Sequence, residues 1–458
     1  MYRKRRHGKS DEPLQLTAAL TSAFALTLFV VHPWVIGPLR YNNITAVKLG
    51  FFIAVFSLYA LAMIVCLAIK LPRRRVRIRE LRLRAITFAA AVYIALMLIS
   101  ALGSGNVRES FFGASARNEG LLVRSAYAIT AVLIALFYVP KKRDLLALCI
   151  CAAAVSAYGI LEFFGFDPLR LLPRDYFARY GGQVMHVAAM SNIDVYSTYA
   201  SMALCAGIVM AARERGKARI AYLICGVITA ATLALCGVWS GLFGIAASLG
   251  SLMPWIVFRK PARRAVAVWY GAIAAAGISG CIVIASMAGK SGNLLLADIA
   301  ALLRGELRDT FGSRRGLIWK RAWALWREKP LFGWGPDGFR GAYLNRWGVF
   351  SGDGRYAIFD KAHNEYLQTI VDIGAAGAAA YIVLLSCAIR AGFRAVREES
   401  AALAALAATI CFAAQGIFNI SSPFAHPAAW ALIGMCASSA GAIGKKNENI
   451  HIGDECNG

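Results

Sequence analysis

The chain has 458 residues, 59% of them hydrophobic and only 16% charged, with a formal net charge of +25. A soluble domain carries roughly a quarter charged residues, so the composition excludes an ordinary soluble enzyme and reads as all-α and polytopic in a membrane. Apolar runs recur along the whole length, each long enough to cross a ~30 Å hydrocarbon core. They predict about twelve membrane helices, at 14–36, 46–69, 85–103, 121–139, 145–163, 194–212, 219–237, 240–258, 265–287, 366–389, 401–420 and 425–443. Only Gly237, Ser240 and Gly241 mark the turn between the seventh and eighth. Met1 to Lys9 is basic, but the apolar run after Leu14 is too long for a signal peptide and no small-residue cleavage site follows, so it reads as a retained first span.

Basic residues cluster at every second junction: Arg3 to Lys9, Arg73 to Arg84, Lys141 to Arg143, Arg213 to Arg219, Arg259 to Arg264, Arg390 to Arg397, and Lys445 with Lys446. This alternation is the positive-inside pattern and places both termini in the cytoplasm. The clusters would also meet anionic lipid head groups. No aromatic-basic surface accompanies them, which argues against nucleic acid as a partner. Ten of the eleven cysteines fall inside predicted spans, and Cys456 falls in the tail. None pairs with histidine at metal-ligand spacing, so they read as small packing residues and no metal site is expected.

The chain reads as one membrane domain, 1–458, with a polar tail at 447–458. The orientation makes three outer loops substantial. The loop at 104–120 holds Arg108, Glu109, Arg117, Asn118 and Glu119. The loop at 164–193 holds Asp167, Arg170, Arg174, Asp175, Arg179, His186 and Asn192. The loop at 288–365 is the longest. Within it, Leu294, Leu295, Ile299, Leu302 and Leu303 have helical spacing. A second helix is expected from a Ser313 cap to Lys329, with Trp319, Trp323 and Trp326 on one face and Arg315, Lys320, Arg321 and Arg327 largely elsewhere. A tryptophan stripe with basic neighbours fits a helix in the membrane interface. Pro330 ends it, and Gly333, Gly335 and Gly338 supply tight turns. Asp353-Gly354 reads as a turn.

Two residues of this loop carry the strongest chemistry. Arg315 offers a permanently charged guanidinium that binds phosphate oxygens bidentately, suited to a lipid diphosphate and to its departure. On composition alone, an arginine on an interfacial helix also serves to meet lipid head groups. Arg314 beside it is the weaker phosphate ligand. His363 sits just before a membrane helix and titrates near neutral pH, so it suits proton abstraction from a hydroxyl. It equally fits a capping or interfacial role. Asn364 and Glu365 would orient it or cap the helix. Glu162, Asp194, Tyr196, Asp372, Gln415, Asn419 and His426 read mainly as polar groups that pack helices. There is no Gly-rich phosphate loop and no paired-aspartate metal site of a nucleotide-sugar enzyme.

The order of these residues resembles the O-antigen ligase and O-antigen polymerase superfamily. The resemblance rests on Arg315 four residues before Trp319, on Pro330-Leu331-Phe332-Gly333-Trp334-Gly335 and Phe339, and on His363-Asn364-Glu365-Tyr366-Leu367 with Gly374 and Gly377 beyond. Phe112-Gly113, Arg117-Asn118-Glu119-Gly120 and Ser191-Asn192 resemble two earlier pieces of the pattern. The resemblance implies a GT-C-type membrane glycosyltransferase of the bacterial inner membrane, working on its outer face. Such an enzyme moves a glycan from undecaprenyl diphosphate to a hydroxyl of a glycan, lipid or protein acceptor, without metal or other cofactor. It maps the family's loop arginine onto Arg315 and its histidine onto His363. Members often carry a mid-chain Ser-Arg pair, where this chain has Gly237-Val238-Trp239-Ser240-Gly241. Either another residue such as Arg117 supplies that charge, or the donor site differs. The same layout leaves two other classes open, a flippase of lipid-linked oligosaccharide and a non-catalytic member of a polysaccharide assembly complex.

Overall fold

The computed structural model describes residues 12–70, 83–115, 117–171, 190, 192–258, 260–286, 294–349, 359–396 and 399–438. Several expectations lie outside these residues: the clusters Arg3 to Lys9 and Lys445–Lys446, most of Arg73 to Arg84, and Arg259 and Arg397. So do Arg174, Asp175, Arg179 and His186, Ser191, Asp353-Gly354, Cys456 and the 447–458 tail. The described residues form helices and connecting segments, with no strand among them.

Nine of their helices are long and apolar enough to cross a membrane. Two shorter apolar helices, Leu121–Phe137 and Ser400–Gln415, and a helical stretch at 426–438 occupy three further predicted positions. Two of the predicted runs are not uniform α-helix. The run at 14–36 is not one α-helix: Glu12–Leu26 passes into a π-helical turn, Thr27–Val31, and a 3-10 turn, His32–Trp34. Pro33 has no N–H to continue the ladder. The Tyr199 hydroxyl donates instead to the Phe29 carbonyl, four residues before Pro33, at 2.7 Å, and the buried Lys48 ammonium serves the carbonyls at the break, donating to His32 at 2.7 Å and Pro33 at 2.8 Å. The run at 401–420 stops at Gln415. Beyond it Asn419 turns inward and donates to the Asp194 carbonyl at 3.0 Å and the Thr198 hydroxyl at 2.7 Å. Pro423 lies within the non-helical segment that follows.

The Ile193–Arg213 helix is the centre of the bundle, buried along most of its length. It packs against Lys142–Phe163, Gly216–Cys236, Trp239–Val257 and Ser400–Gln415. Ala200, Ala203, Ala206 and Gly207 let these neighbours approach closely, as membrane helix packing requires. Gly237 closes the Gly216–Cys236 helix at φ 63°, the sharp turn expected there. Arg263–Ser286 is the opposite extreme and buries none of its residues.

The region expected as the longest loop contains Leu294–Leu303, Phe311–Glu328 and Phe339–Trp347. Ile318, Ala322, Leu325, Phe339, Tyr343 and Val371 form a small core of its own there. The tryptophans border that core rather than make it. The Trp319 indole N–H donates to the Ala362 carbonyl at 3.0 Å, and that of Trp326 to Pro330 at 3.0 Å. Trp323 is 44% exposed. The expected Ser313 cap is also corrected. Gly312, Ser313 and Arg314 all have positive φ, so the chain turns back on itself before regular helix begins at Arg315.

Candidate active site

Glu365–Ala395 is opened at Gly374, whose φ of 70° and ψ of −178° no helix contains. The Pro330–Gly335 segment lies in the opening. The amide of Trp334 donates to Val371 at 3.0 Å, that of Gly335 to Asp372 at 2.8 Å, and that of Ala375 to Pro330 at 2.8 Å. A Cβ on Gly374 would meet the Leu331 carbonyl oxygen at 2.1 Å, and one on Gly333 the Val371 and Asp372 carbonyl oxygens at 2.5 Å. This motif is therefore structural. It locks the expected outer loop to the membrane helix that begins beside His363, and the three cross-bonds supply partners for backbone groups that the break takes out of the helix ladder.

A buried charge network fixes the same junction from the other side. The Lys361 ammonium, fully buried, lies 2.8 Å from Asp337 and 3.5 Å from Glu119. Asp337 also accepts the amides of Ala114 at 2.8 Å and Glu119 at 3.2 Å. Glu119 accepts from the hydroxyls of Tyr127 at 3.2 Å and Ser421 at 2.9 Å. Burial alone would raise the Asp337 pKa, but Lys361 and then Arg124 outweigh it and hold the carboxyl below its ordinary value. Burial would lower the Lys361 pKa, but Asp337 and Glu119 outweigh it and hold the ammonium above its ordinary value. Deeper in, Arg124 meets Asp372 at 2.6 Å, and Gln368 donates to both Asp372 oxygens at 3.1 Å. Gly113 lets the 113–119 turn close, since at its φ of 96° a Cβ would meet the Asn118 carbonyl carbon at 2.3 Å.

Three helix starts converge on Arg315 and His363. The Asn192 side chain caps Ile193–Arg213 by accepting from the Asp194 amide at 2.7 Å. Arg315 begins the regular part of Phe311–Glu328, and its Nη2 lies 3.9 Å from Asp194 Oδ2, too long for a hydrogen bond. Its Nε is buried with no hydrogen-bond partner. Asn364 caps Glu365–Ala395 by accepting from the Leu367 amide at 2.9 Å, a bond worth about 1 kcal/mol. His363 lies just outside that cap, in the left-handed region at φ 49°. Such a backbone costs a non-glycine residue about 1–3 kcal/mol and is retained where the surroundings enforce it. The imidazole is held below its ordinary pKa, first by burial and then by the Arg315 charge, with Asp194 and Asp360 pulling the other way. Burial and the Arg315 charge both favour the neutral imidazole.

The remaining sequence candidates divide. Arg117 is within the electrostatic reach of His363, but Asp360 engages it bidentately, at 2.7 Å from Nε and 3.2 Å from Nη2. Arg314 is in the left-handed turn before Arg315. Asn364 is the cap. Glu365 lines a cavity with Thr198, Gln415, Asn419 and His426 that has room for about one water. One of its oxygens is 3.9 Å from His426 Nε2, and the other is buried without a hydrogen-bond partner. Sequence reasoning placed Asp194 among the packing residues, yet it faces Arg315. It did not single out Asp337, Asp360 or Lys361. The available signals were Asn192 as a helix cap ahead of Asp194, and two charges, three and two residues before His363, in a chain poor in acids.

Residues 184–382 match the O-antigen ligase family model. The match supports the O-antigen ligase and polymerase superfamily, and it spans Asp194, Arg315, the Pro330–Gly335 motif, His363 and the Gly374 opening. No curated protein matches the chain. The family match and the apolar helices together support an O-antigen ligase-like membrane role in polysaccharide assembly. Among the described residues, no three His, Cys, Asp or Glu side chains are grouped to hold a metal ion.

Proposed function

We propose that the protein transfers or polymerises a glycan from undecaprenyl diphosphate onto an acceptor hydroxyl, on the outer face of the bacterial inner membrane. The observation that carries this reading is that His363, held in a left-handed backbone at the start of Glu365–Ala395, shares its electrostatic surroundings with an Arg315 guanidinium that is half-buried and has an unused N–H. His363 takes the acceptor proton as the hydroxyl oxygen forms its bond to the anomeric carbon. The bond from that carbon to the phosphate oxygen breaks, and the diphosphate keeps the electron pair. Arg315 neutralises the charge that grows on it, and sparse water strengthens that contact. The loose contact with Asp194 holds Arg315 in place without occupying its donors. The amides at the starts of Ile193–Arg213 and Glu365–Ala395 add to the positive field. Arg314 and Asn364 would border the donor phosphates or the acceptor, and Glu365 would act from the cavity below. The reaction as written needs no metal.

The basic clusters support cytoplasmic termini, and with them an outward-facing site. We read the nine long helices, Leu121–Phe137, Ser400–Gln415 and the 426–438 helix as twelve spans of a GT-C-like bundle. The family match supports ligase and polymerase alike. One observation favours a flippase instead, since transporters also have broken spans and buried charges. Here, however, Lys48 fills the break near Pro33 and the Pro330–Gly335 segment fills the break at Gly374. The deciding experiment uses purified protein in detergent with undecaprenyl-diphosphate-linked oligosaccharide and an acceptor glycan. Product without a sealed compartment, unaffected by EDTA, is expected. Protein that makes no product yet moves the donor across vesicles independently of His363 would overturn the reading in favour of the flippase.

A further inference from the structure

The segment 360–365 is tied down at every residue except the histidine. Asp360 holds Arg117 through two bonds, and Lys361 sits between Asp337 and Glu119. The Ala362 amide donates to Gln368 at 2.7 Å, and its carbonyl accepts from Trp319. Asn364 caps the helix, and the Glu365 amide donates to Gly416 at 2.7 Å. Between these anchors His363 is held in a left-handed backbone. Two of the anchors, Asp360 and Lys361, reach the 113–119 turn, from more than two hundred residues away in the chain. Arg117 has therefore committed Nε and Nη2 to a carboxylate, the group a donor phosphate would have to displace.

We infer that Arg117 and Asp360 form a clamp that positions His363, and that Arg117 is a positioning residue rather than a phosphate ligand. The inference rests on His363 being the base. The clamp works because a strained loop relaxes when its tether is cut. The partly buried, bidentate geometry of this pair makes it the tether that can be cut or reversed without stranding a charge in the core, since both side chains keep 26–30% of their surface exposed. A misplacement of about 1 Å at a reacting group can cost on the order of 10²-fold in rate.

The test uses full-length protein in detergent, with undecaprenyl-diphosphate-linked oligosaccharide as the donor. Arg117→Gln and Asp360→Asn are expected to lower kcat similarly, by about 10- to 100-fold, with KM for the donor unchanged. The charge swap Arg117→Asp with Asp360→Arg restores most of the loss. Amide exchange, which needs no substrate, speeds up at 359–364 and 113–119 in both single variants and slows again in the swap. A phosphate-ligand role gives the opposite result. Arg117→Gln then raises KM, Asp360→Asn stays as active as wild type, and the swap is not rescued. Equal activity of Asp360→Asn and wild type therefore overturns the clamp even if the swap fails to fold. His363→Ala is measured alongside. If it keeps full turnover, the reading of His363 as the base has failed. If it is inert while Asp360→Asn is unaffected, only the clamp has failed.

Discussion

Replacing Lys361 by methionine removes the one ammonium between two buried carboxylates. The side chains of Lys361 and Glu119 are fully buried and that of Asp337 is 2% exposed, so water cannot replace the lost partner. Breaking a buried ion pair by deleting one partner costs about 3–5 kcal/mol. Asp337 keeps two backbone donors, and Glu119 keeps two hydroxyl donors. These residual bonds place the expected loss at the low end, about 3 kcal/mol. Adding Asp337→Asn removes one of the stranded charges and is expected to recover about 1 kcal/mol or more. The measurement is unfolding in mixed detergent and sodium dodecyl sulfate micelles, followed by tryptophan fluorescence. The pH dependence has a definite sign. Asp337 is held below its ordinary value of about 4, so its contribution is complete above that pH and is lost as pH falls through the lower folded value. Lys361 is held above its ordinary value of about 10, so its contribution is complete below that pH and is lost as pH rises through the higher folded value. In Lys361→Met the burial of Asp337 is no longer offset by Lys361, so the gap to wild type should narrow as pH falls and the stranded carboxylate takes up a proton, and narrow on the alkaline side only where Lys361 itself loses its proton, above about pH 10. A loss below about 1 kcal/mol, or a double variant less stable than Lys361→Met, would refute the account of a buried, mutually dependent network.

Arg315→Ala should abolish transfer at normal membrane insertion, while Arg315→Lys keeps charge without the fork and retains partial activity; full activity of the alanine variant removes Arg315 from the mechanism. His363→Ala should lose ~10²–10⁴-fold in turnover. In wild type, the acid limb of the rate profile should have its midpoint below about 6.5, because burial and Arg315 disfavour the imidazolium, and a midpoint above that value would contradict the geometry. Gly374→Ala, whose Cβ would meet a backbone oxygen at 2.1 Å, should destabilise the fold and increase protease nicking between Pro330 and Gly335; unchanged stability would show that the opened helix is not held as described. For topology, Asn345→Cys should react with an impermeant thiol reagent in intact cells and Lys217→Cys should not, both positions being exposed. Reversed labelling would put the site on the wrong side of the membrane.

Hydropathy by itself determined that this chain is a helical membrane protein, because lipid admits no other use of runs this long and apolar. Spacing in the sequence also brought Arg315 and His363 forward, as charged and titratable groups at the edge of a bundle otherwise poor in them. What sequence could not reveal are the partners. Asp194 looked like a packing residue because its relation to Arg315 crosses more than a hundred residues and exists only when two helix starts meet. Arg117 looked like a spare cation because Asp360 reaches it only through folding. The breaks at Pro33 and Gly374 were hidden for a similar reason. Apolar runs continue through both, and a helix can open there only because Lys48 and the Pro330–Gly335 segment supply the missing hydrogen bonds. Hydrophobicity acts residue by residue and is legible in one dimension. Ion pairing and hydrogen-bond satisfaction depend on distances of about 3 Å between residues far apart in the chain, and only the tertiary structure sets those.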